Sequence, residues 1–240
     1  MNSDSTALPR TTPAPPEELE TLTRRYAAAP AEELLRWALE TYHPEILLAC
    51  SFGAEDVVLV DLLARLHERP RVFYLDTEFL FPETCEVRDR ILARYNIELI
   101  RCTSTLSPEE QARQYAPELY RSNPDLCCQL RKVEPLQQVL RGQRAWITGI
   151  RREQAPTRAG AQRIEWDAKF ALVKLNPLAF WKWADVWEYI RKHDLPYNVL
   201  HDRNYPSIGC THCTRPVQPG EDPRAGRWSG GAKTECGLHK

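Results

Sequence analysis

The sequence predicts an α/β fold in which a doubly wound, mostly parallel sheet is followed by an irregular C-terminal tail. Short apolar runs alternate with amphipathic stretches through most of the 240 residues, and this alternation is typical of parallel strands joined by helices. The predicted strands are residues 45–50, 71–76, 97–101, 145–150 and 170–175. From residue 197 onward the periodicity disappears and Pro, Gly, Arg and Cys dominate, which indicates irregular structure.

Helices are predicted before and between these strands because apolar residues recur there at helical spacing. Residues 17–42 hold two helical patterns broken at Pro30, and Leu34 and Leu35 lie on the apolar face of the second. Pro82 stands where proline is common in a first helical turn. The remaining predicted helices are residues 57–65, 82–95, 107–116, 125–140 and 183–194.

Composition divides the chain into three parts. Residues 1–16 are rich in Ser, Thr and Pro, which predicts a disordered N-terminal tail. Residues 17–220 are predicted to form one α/β domain, because their length suits a single core. Residues 221–240 contain Gly230-Gly231, a pair typical of a hinge, and we expect a mobile C-terminal tail there.

Composition and charge argue against several classes of protein. Hydrophobic residues make up 42% and charged residues 27% of the chain, which is ordinary for a soluble globular protein. The net charge is −1 and there is no long basic run, so a dedicated nucleic-acid binder is not expected. No apolar run reaches the roughly 18 residues of a membrane span, and no signal-peptide core is present. We therefore expect a cytoplasmic protein, whose 8 cysteines are metal-binding or catalytic rather than disulfide-bonded.

Several polar residues follow predicted strands and are expected to meet in one crevice. Ser51-Phe52-Gly53 follows the first strand, and a turn of this kind directs N–H groups toward an anion. Thr77 follows the second strand, and Arg151 and Arg152 follow the fourth. Ligands of doubly wound sheets bind beyond the carboxyl ends of the strands. The alternatives are an ordinary β–α turn for the first segment and a solvent-facing loop for the arginines.

Four cysteines occur in two closely spaced pairs, Cys127-Cys128 and Cys210-x-x-Cys213. Two such pairs can supply the tetrahedral sulfur ligands of zinc or of an iron–sulfur cluster. Zinc usually takes ligands separated by two or more residues, whereas adjacent thiolates more easily reach two different irons. The spacing therefore favours a cluster, although zinc and simple packing of buried thiols stay open.

Cations accompany these cysteines and a further one near the C-terminus. In a helix, Arg131 would lie four residues after Cys127 and Lys132 four residues after Cys128, close enough to stabilise an anionic cluster. A solvated helix face is the alternative for this Arg-Lys pair. Cys236 is flanked by Lys233, His239 and Lys240, and positive neighbours favour a nucleophilic thiolate. The alternative for Cys236 is an incidental cysteine in a frayed terminus.

Together these motifs resemble the assimilatory adenylyl-sulfate (APS) and phosphoadenylyl-sulfate (PAPS) reductases, and within them the cluster-bearing, thioredoxin-dependent branch. The resemblance covers roughly residues 45–240 in the family's order. Its motifs are Ser51-Phe52-Gly53-Ala54-Glu55-Asp56, Leu75-Asp76-Thr77, Phe81-Pro82-Glu83-Thr84, Cys127-Cys128, Gly149-Ile150-Arg151-Arg152, Cys210-x-x-Cys213 and Glu235-Cys236-Gly237-Leu238-His239. Glu78 departs from the glycine expected after Asp-Thr.

The resemblance implies a fold of the adenine nucleotide α-hydrolase type and one 4Fe-4S cluster that acts electrostatically. Its implied ligands are Cys127, Cys128, Cys210 and Cys213. Lys132 would stand between the cluster and the substrate sulfate. The residues implied around the nucleotide and its sulfate are Ser51, Phe52, Gly53, Thr77, Arg151, Arg152, Arg224, Arg227 and His239.

The resemblance also implies a reaction. Cys236 would attack the sulfur of APS and expel AMP, with Lys132 and His239 as the other catalytic residues. Thioredoxin, the implied partner, would then release sulfite from the S-sulfocysteine by thiol exchange. No nucleic acid and no membrane are implied, and a homo-oligomer stays open.

Three other functions remain compatible with the sequence. PAPS could replace APS as substrate, alone or beside it. An ATP-pyrophosphatase-like, tRNA-thiolating enzyme is a second alternative, although the segment from Ser51 to Asp56 lacks the second Gly and final Ser of such a loop. A zinc-stabilised binding module is the third, and it leaves Cys236 without a role.

Overall fold

A computed structural model describes residues 16–228, Lys233 and residues 235–238. The predicted disordered tail, residues 1–16, lies outside this range except for Pro16, which begins the first helix. His239 and the Gly230-Gly231 pair also lie outside the described residues. None of the helices in the described part of the chain combines the length and the apolar run that crossing a bilayer requires.

Six strands form one mostly parallel sheet within the described residues. Their bounds are β1 Ile46–Ala49, β2 Arg71–Asp76, β3 Glu98–Thr103, β4 Ala145–Ile147, β5 Ile164–Asp167 and β6 Leu172–Leu175. The spatial order is β3-β2-β1-β4-β6-β5, and only β5 runs antiparallel to its neighbour. The predicted fold class is confirmed, and four of the five predicted strands are β1 to β4. The fifth predicted strand is β6, whereas β5 was not predicted.

The described helices fall close to their predicted positions, except for a short helix at Leu119–Ser122 that the sequence did not predict. Their bounds are α1 Pro16–Tyr26, α2 Ala31–Tyr42, α3 Ala54–Leu66, α4 Pro82–Arg94, α5 Pro108–Gln114, α6 Leu119–Ser122, α7 Pro124–Cys128, α8 Glu134–Leu140 and α9 Trp183–Lys192. Among the described residues after position 197, the regular structure consists of short 3₁₀ turns at Val199–Arg203 and Thr211–Cys213 and one β-bridge between Thr214 and Arg227, as the irregular composition predicts.

Apolar side chains cover both faces of the sheet, as parallel sheets require. Neighbouring residues of a strand point to opposite faces, and Leu47 and Leu48 of β1 accordingly belong to different core clusters. Helices α1 to α4 and α9 contribute to the cluster around Leu48. Helix α8 contributes Leu136 and Leu140 to the cluster around Leu47. The central strands are thus packed on both faces, and this packing fixes the positions of the residues at their carboxyl ends.

The strand order reverses between β1 and β4. Strands β2 and β3 follow β1 on one side, whereas β4 lies on its other side, and ligands bind at such a reversal. The end of β4 approaches the start of α3 so closely that a Cβ on Gly149 would lie 2.4 Å from Asp56 Oδ1. A side chain at Gly149 would therefore displace Asp56 from the edge of the crevice.

The predicted helix over residues 125–140 is one continuous helical segment that contains a π-helical turn. Helix α7 begins after Asn123, whose side chain accepts a hydrogen bond of 3.0 Å from the N–H of Leu126. The π turn covers Gln129–Val133 and leads directly into α8. Pro135 lacks the N–H that a regular helix would donate to the carbonyl of Arg131, and π turns of this kind are common at functional sites.

Candidate active site and metal centre

A cavity of about 510 Å³ lies beyond the carboxyl ends of β1, β2 and β4. It is lined by nine of the eleven residues predicted to be catalytic or to bind substrate, namely Ser51, Phe52, Gly53, Thr77, Lys132, Arg151, Arg224, Arg227 and Cys236. Two predicted residues are not placed there. Arg152 is absent from its lining, and His239 lies outside the described residues. The crevice predicted from the strand ends is therefore present and brings residues from distant parts of the chain together.

The turn after β1 is held by hydrogen bonds between Ser51 and the side chain of Asp56. Asp56 Oδ2 accepts hydrogen bonds from the N–H of Ser51 at 2.5 Å and from its hydroxyl at 2.7 Å. Phe52 is buried with φ of 59°, in the left-handed region, and Gly53 caps α3. The Ser51 donors are thus engaged within the loop, and the positive end of α3 remains to favour an anion in the cavity.

Burial raises the pKa of Asp56 to about 6, although the hydrogen bonds from Ser51 act in the opposite direction. Because the folded-state pKa lies above the unfolded value, the folded protein binds the proton more tightly between pH 3.8 and pH 6. The corresponding stability is present at low pH and is lost as pH rises through that window. A shift of this size corresponds to about 3 kcal/mol.

Replacing Asp56 with Asn should remove this pH dependence, because the amide keeps an acceptor oxygen but has no charge to desolvate. Relative to the unchanged protein, the variant's unfolding free energy is expected to rise by up to about 3 kcal/mol from pH 4 to pH 7. Urea unfolding across that range measures it. Asp89→Asn, at an exposed carboxylate, is the control, and parallel curves for Asp56→Asn and the unchanged protein would contradict the assignment.

The loop after β2 links the cavity to the cysteines. Glu78 has φ of 60°, so it adopts the left-handed conformation that explains why glycine is expected at this position. Its carboxylate binds the buried guanidinium of Arg131 at 2.9 Å. Thr77 Oγ1 lies 3.3 Å from Cys210 Sγ. Thr77, predicted to bind substrate, therefore contacts both the main cavity and a predicted metal ligand.

The four paired cysteines lie together around a small second cavity. Three of them, Cys127, Cys128 and Cys210, are buried, and Cys213 is half-buried. Burial first, and then the nearby Cys128, Cys210 and Cys213, raise the pKa of the Cys127 thiol to about 11. Thiolates in this position therefore need a bound cation or nearby positive side chains, and metal binding displaces their protons.

The chemistry of this donor set fits an iron–sulfur cluster. The protein ligands of such a cluster are usually four cysteine thiolates. The donor set, four cysteines lining one small cavity, suits such a cluster.

Aromatic side chains cover the four thiols. The ring of His212 stacks on Tyr120 with centroids 4.2 Å apart, and Phe79 meets His212 edge-on at 4.9 Å. All three rings line the small cavity. They leave the cysteines in a largely apolar environment, where charges interact more strongly than in water.

Lys132 lies between the two cavities and lines both of them, as does Cys210. Burial lowers the pKa of Lys132, but Cys210, Cys236 and Cys128 raise it, and the net pKa is above the ordinary value. The ammonium group is therefore charged at neutral pH. None of the described carboxylates forms an ion pair with it, so its charge is directed at the sulfur atoms and the cavity.

The adjacent residues Arg151 and Arg152 have different surroundings. Arg151 is buried, and its guanidinium binds Glu55 at 2.8 Å and Glu153 at 2.9 Å. Arg152 donates to the carbonyl of Ala161 at 2.6 Å and lies over the ring of Phe180. The structure thus brings Arg151 to the cavity already paired with two carboxylates, and it does not bring Arg152 there.

Arg227 is the cavity arginine with the least compensated charge. It donates to Ser207 Oγ at 3.2 Å and to the carbonyl of Ile208 at 3.1 Å. A Cβ on Gly209 would lie 2.3 Å from its Nη2, so this glycine leaves room for the guanidinium next to Cys210. Its buried Nε has no hydrogen-bond partner within the described residues.

The described residues of the C-terminal tail pack against the domain. Cys236 is half-buried and lines the main cavity with Lys132. Leu238 packs against the core cluster around Leu47. Lys233 was expected to favour the Cys236 thiolate, but its ammonium binds Asp125 Oδ1 at 2.6 Å. Lys233 is therefore engaged by Asp125, and Lys132 is the lysine that lines the main cavity together with Cys236.

Two site residues were not predicted from the sequence. Arg158 lines the cavity, and its guanidinium binds Glu235 at 3.0 Å. Glu235 also binds Arg224, predicted as a substrate residue, at 3.0 Å. The sequence places Glu235 next to Cys236, but nothing in the pattern indicates a partner 77 residues away.

Comparison with known proteins agrees with this arrangement. The sequence matches the phosphoadenosine phosphosulfate reductase domain family over residues 45–216. The chain belongs to this family. It is 50% identical over 208 residues to the adenosine 5′-phosphosulfate reductase of Shouchella clausii, covering 86% of each chain. It is also 50% identical over 209 residues to adenosine 5′-phosphosulfate reductase 2 of Bacillus subtilis, covering 87% of this chain and 89% of that one.

Solved structures support the same family and fold. The phosphoadenylyl-sulfate reductase of Candida auris, in a phosphate complex, superposes with a TM-score of 0.75 at 30% identity, covering 85% of this chain and 99% of that one. FMN adenylyltransferase of Candida glabrata superposes with a TM-score of 0.58 at 18% identity, covering 89% and 74%. The second likeness shows the fold alone. The resemblance of the sequence to the reductase family and its adenine nucleotide α-hydrolase-like fold are both confirmed.

Proposed function

We propose that this reductase converts adenylyl sulfate to sulfite and AMP in sulfate assimilation, with Cys236 as the nucleophile and thioredoxin as the reductant. The observation that carries the proposal is that Cys236 and Lys132 line one cavity with the anion-favouring turn after β1. The relatives named above as adenosine 5′-phosphosulfate reductases favour APS as the substrate.

In the first step the Cys236 thiolate attacks the sulfur of the substrate's sulfate group. The bond between that sulfur and the bridging oxygen breaks, and AMP leaves with the electron pair. The product on the protein is S-sulfocysteine at Cys236. Lys132 and Arg227 stabilise the negative charge that develops on the transferred group and on the departing phosphate, because preformed cations in a closed site act strongly on the transition state.

In the second step thioredoxin supplies the electrons. One thioredoxin thiolate attacks Cys236 Sγ, and sulfite leaves with the electrons of the S–S bond. The second thioredoxin thiol then breaks the resulting mixed disulfide. Cys236 returns as a thiol, and thioredoxin leaves in its oxidised form. Cys236 is half-buried, so the tail must expose it between the two steps.

A 4Fe-4S cluster is the cofactor that the four paired cysteines suit. Cys127, Cys128, Cys210 and Cys213 would hold it, and it would supply fixed negative charge behind the cavity. Lys132 and Cys210 line both cavities, so the charge of Lys132 would be shared between the sulfur ligands and the substrate. A brown protein with visible absorbance is expected, whereas a zinc protein would be colourless.

The test is the intact mass of reduced, anaerobic protein after mixing with APS in the absence of thioredoxin. A gain of one SO₃ group is expected, located on Cys236 by peptide mapping and removed when reduced thioredoxin is added. Sulfite and AMP should appear in equal amounts. This outcome would establish the nucleophile, the substrate and the reductant in one experiment.

Parallel samples with PAPS and with ATP separate the alternatives. A gain of mass with PAPS and none with APS would support the sulfo transfer to Cys236 but identify PAPS as the substrate. Pyrophosphate release from ATP without any adduct would instead support an ATP-pyrophosphatase. If no adduct forms with any of these substrates, Cys236 is not the nucleophile.

A further inference from the structure

Glu235, the residue directly before Cys236, is the best-anchored residue of the described tail. It is only 6% exposed, and its carboxylate accepts four hydrogen bonds. Arg158 donates to both oxygens at 3.0 Å, Arg224 donates to Oε2 at 3.0 Å and the Thr157 hydroxyl donates to Oε1 at 3.2 Å. A two-pronged contact from Arg158 fixes direction as well as distance.

The location of these donors gives Glu235 a role beyond packing. Arg158 and Thr157 belong to the loop that follows β4, and Arg158 and Arg224 line the main cavity. Consecutive Cα atoms are about 3.8 Å apart, so fixing the carboxylate of Glu235 restricts the position of the Cys236 thiol. The thiol is thereby held in the cavity that it shares with Lys132.

The other polar anchors of the tail are nearer to solvent. Lys169 donates to the carbonyl of Gly237 at 2.6 Å in an exposed contact. Lys233 is 8% exposed and also donates to the carbonyl of Pro124 at 3.0 Å, but its partner Asp125 is 86% exposed, and ion pairs in contact with water contribute little. The side chains of Glu235 and Arg158 are 7% and 13% exposed, so both partners of this contact are shielded from water.

The charges of the cavity allow different cations to bind Glu235 and the substrate. Glu235 is the carboxylate that faces Arg158 and Arg224, whereas no described carboxylate is paired with Lys132 or Arg227. The substrate's anionic groups can therefore bind Lys132 and Arg227 without displacing Glu235. Tail closure and substrate binding then use different cations, and both can be complete at the moment of reaction.

We propose that Glu235 is a positioning residue that holds Cys236 in the cavity through its contacts with Arg158 and Arg224. The inference rests on the proposed function in one respect, the role of Cys236 as nucleophile. It predicts that loss of the Glu235 charge slows transfer of the sulfo group to Cys236 without weakening substrate binding.

The test compares Glu235→Gln with the unchanged protein in single-turnover reactions with APS and no thioredoxin. The maximal rate of adduct formation on Cys236 is expected to fall roughly 10- to 100-fold, because small displacements of a reacting group have effects of that order. The APS concentration giving half the maximal rate should stay within about twofold. Glu235→Asp should recover part of the rate, and Arg158→Lys, which keeps the charge but loses the fork, should lose part of it.

Alkylation of Cys236 by iodoacetamide without substrate provides a readout independent of the reaction. We expect Cys236 to react several-fold faster in Glu235→Gln, because the tail opens more often. Glu221→Gln removes a carboxylate that binds the exposed Arg215 and is the matched control. It should leave the adduct rate and the alkylation rate unchanged.

The outcomes separate the two proposals. Adduct formation in the unchanged protein together with unchanged maximal rate and alkylation in Glu235→Gln would overturn the positioning role alone. A raised half-saturating concentration at an unchanged maximal rate would also overturn it, since Glu235 would then act on substrate binding. No adduct in the unchanged protein would refute the proposed function. Faster alkylation of Glu235→Gln would still support the role of Glu235 in holding Cys236 in the cavity.

Discussion

Replacing Cys236 with Ser is expected to lower sulfite formation by about 10³-fold or more and to abolish the mass gain with APS. A serine hydroxyl is far less acidic than a thiol, and the nearby cations Lys132 and Arg227 cannot take its proton. A thiol needs no such base, because a fraction of it is ionised at neutral pH and sulfur is intrinsically nucleophilic.

The variant should keep its visible absorbance and its affinity for AMP. Cys236 lines the main cavity but not the small cavity of the four paired cysteines, so removing its sulfur should not disturb their ligands. Cys85→Ser, at a half-buried cysteine of α4, is the matched control and should retain full activity. Loss of the brown colour in Cys236→Ser would show that Cys236 holds the metal centre, contrary to the roles assigned here.

The fold was predictable where the apolar pattern is local. Strand β2 is predicted over the same residues that form it, Arg71–Asp76, because a buried parallel strand is apolar along its length. Strand β5, Ile164–Asp167, was missed because it has only four residues of alternating polarity at the edge of the sheet. Its existence depends on antiparallel pairing with β6, as between Ile164 and Leu175, and that pairing is not visible in the segment itself.

The site was predictable to the level of strand ends and cysteine spacing. Ser51 and Thr77 lie in the crevice because the carboxyl ends of neighbouring parallel strands meet at one edge. The difference between Arg151 and Arg152 could not be predicted, because it depends on Glu55 and Phe180, which reach these arginines only through tertiary packing. The contact between Arg158 and Glu235 has the same origin.

The sequence contains a feature that disfavours a regular helix near Gln129–Val133, but it does not reveal how the π turn there orients Arg131 and Lys132. Regular helical spacing placed Arg131 and Lys132 together beside the cysteines. In the structure, Arg131 is buried against Glu78 and Gln111, whereas Lys132 lines the two cavities. Pro135 is the sequence feature that disfavours a regular helix at this point, but it does not tell which of the two cations reaches the substrate.

Replacing Lys132 with Ala is therefore the sharpest test of how the metal centre and the cavity act together. We expect the rate of adduct formation to fall by about 10²- to 10³-fold, the usual effect of removing one preorganised charge from a transition state. Arg227 remains in the cavity and gives residual activity. Lys132→Arg should recover little, because a planar guanidinium cannot occupy the space of an ammonium group between the two cavities.

The spectrum of Lys132→Ala separates a catalytic from a structural role. If Lys132 acts mainly on the substrate, the visible absorbance per protein should stay near that of the unchanged protein while the rate falls. Lys192→Ala, at the exposed end of α9, controls for the loss of one positive charge. A colourless Lys132→Ala protein would mean that the ammonium is needed to assemble the four-thiolate site. Lys132 would then be needed for assembly of the metal centre, and the lower activity of Lys132→Ala would result from the missing centre.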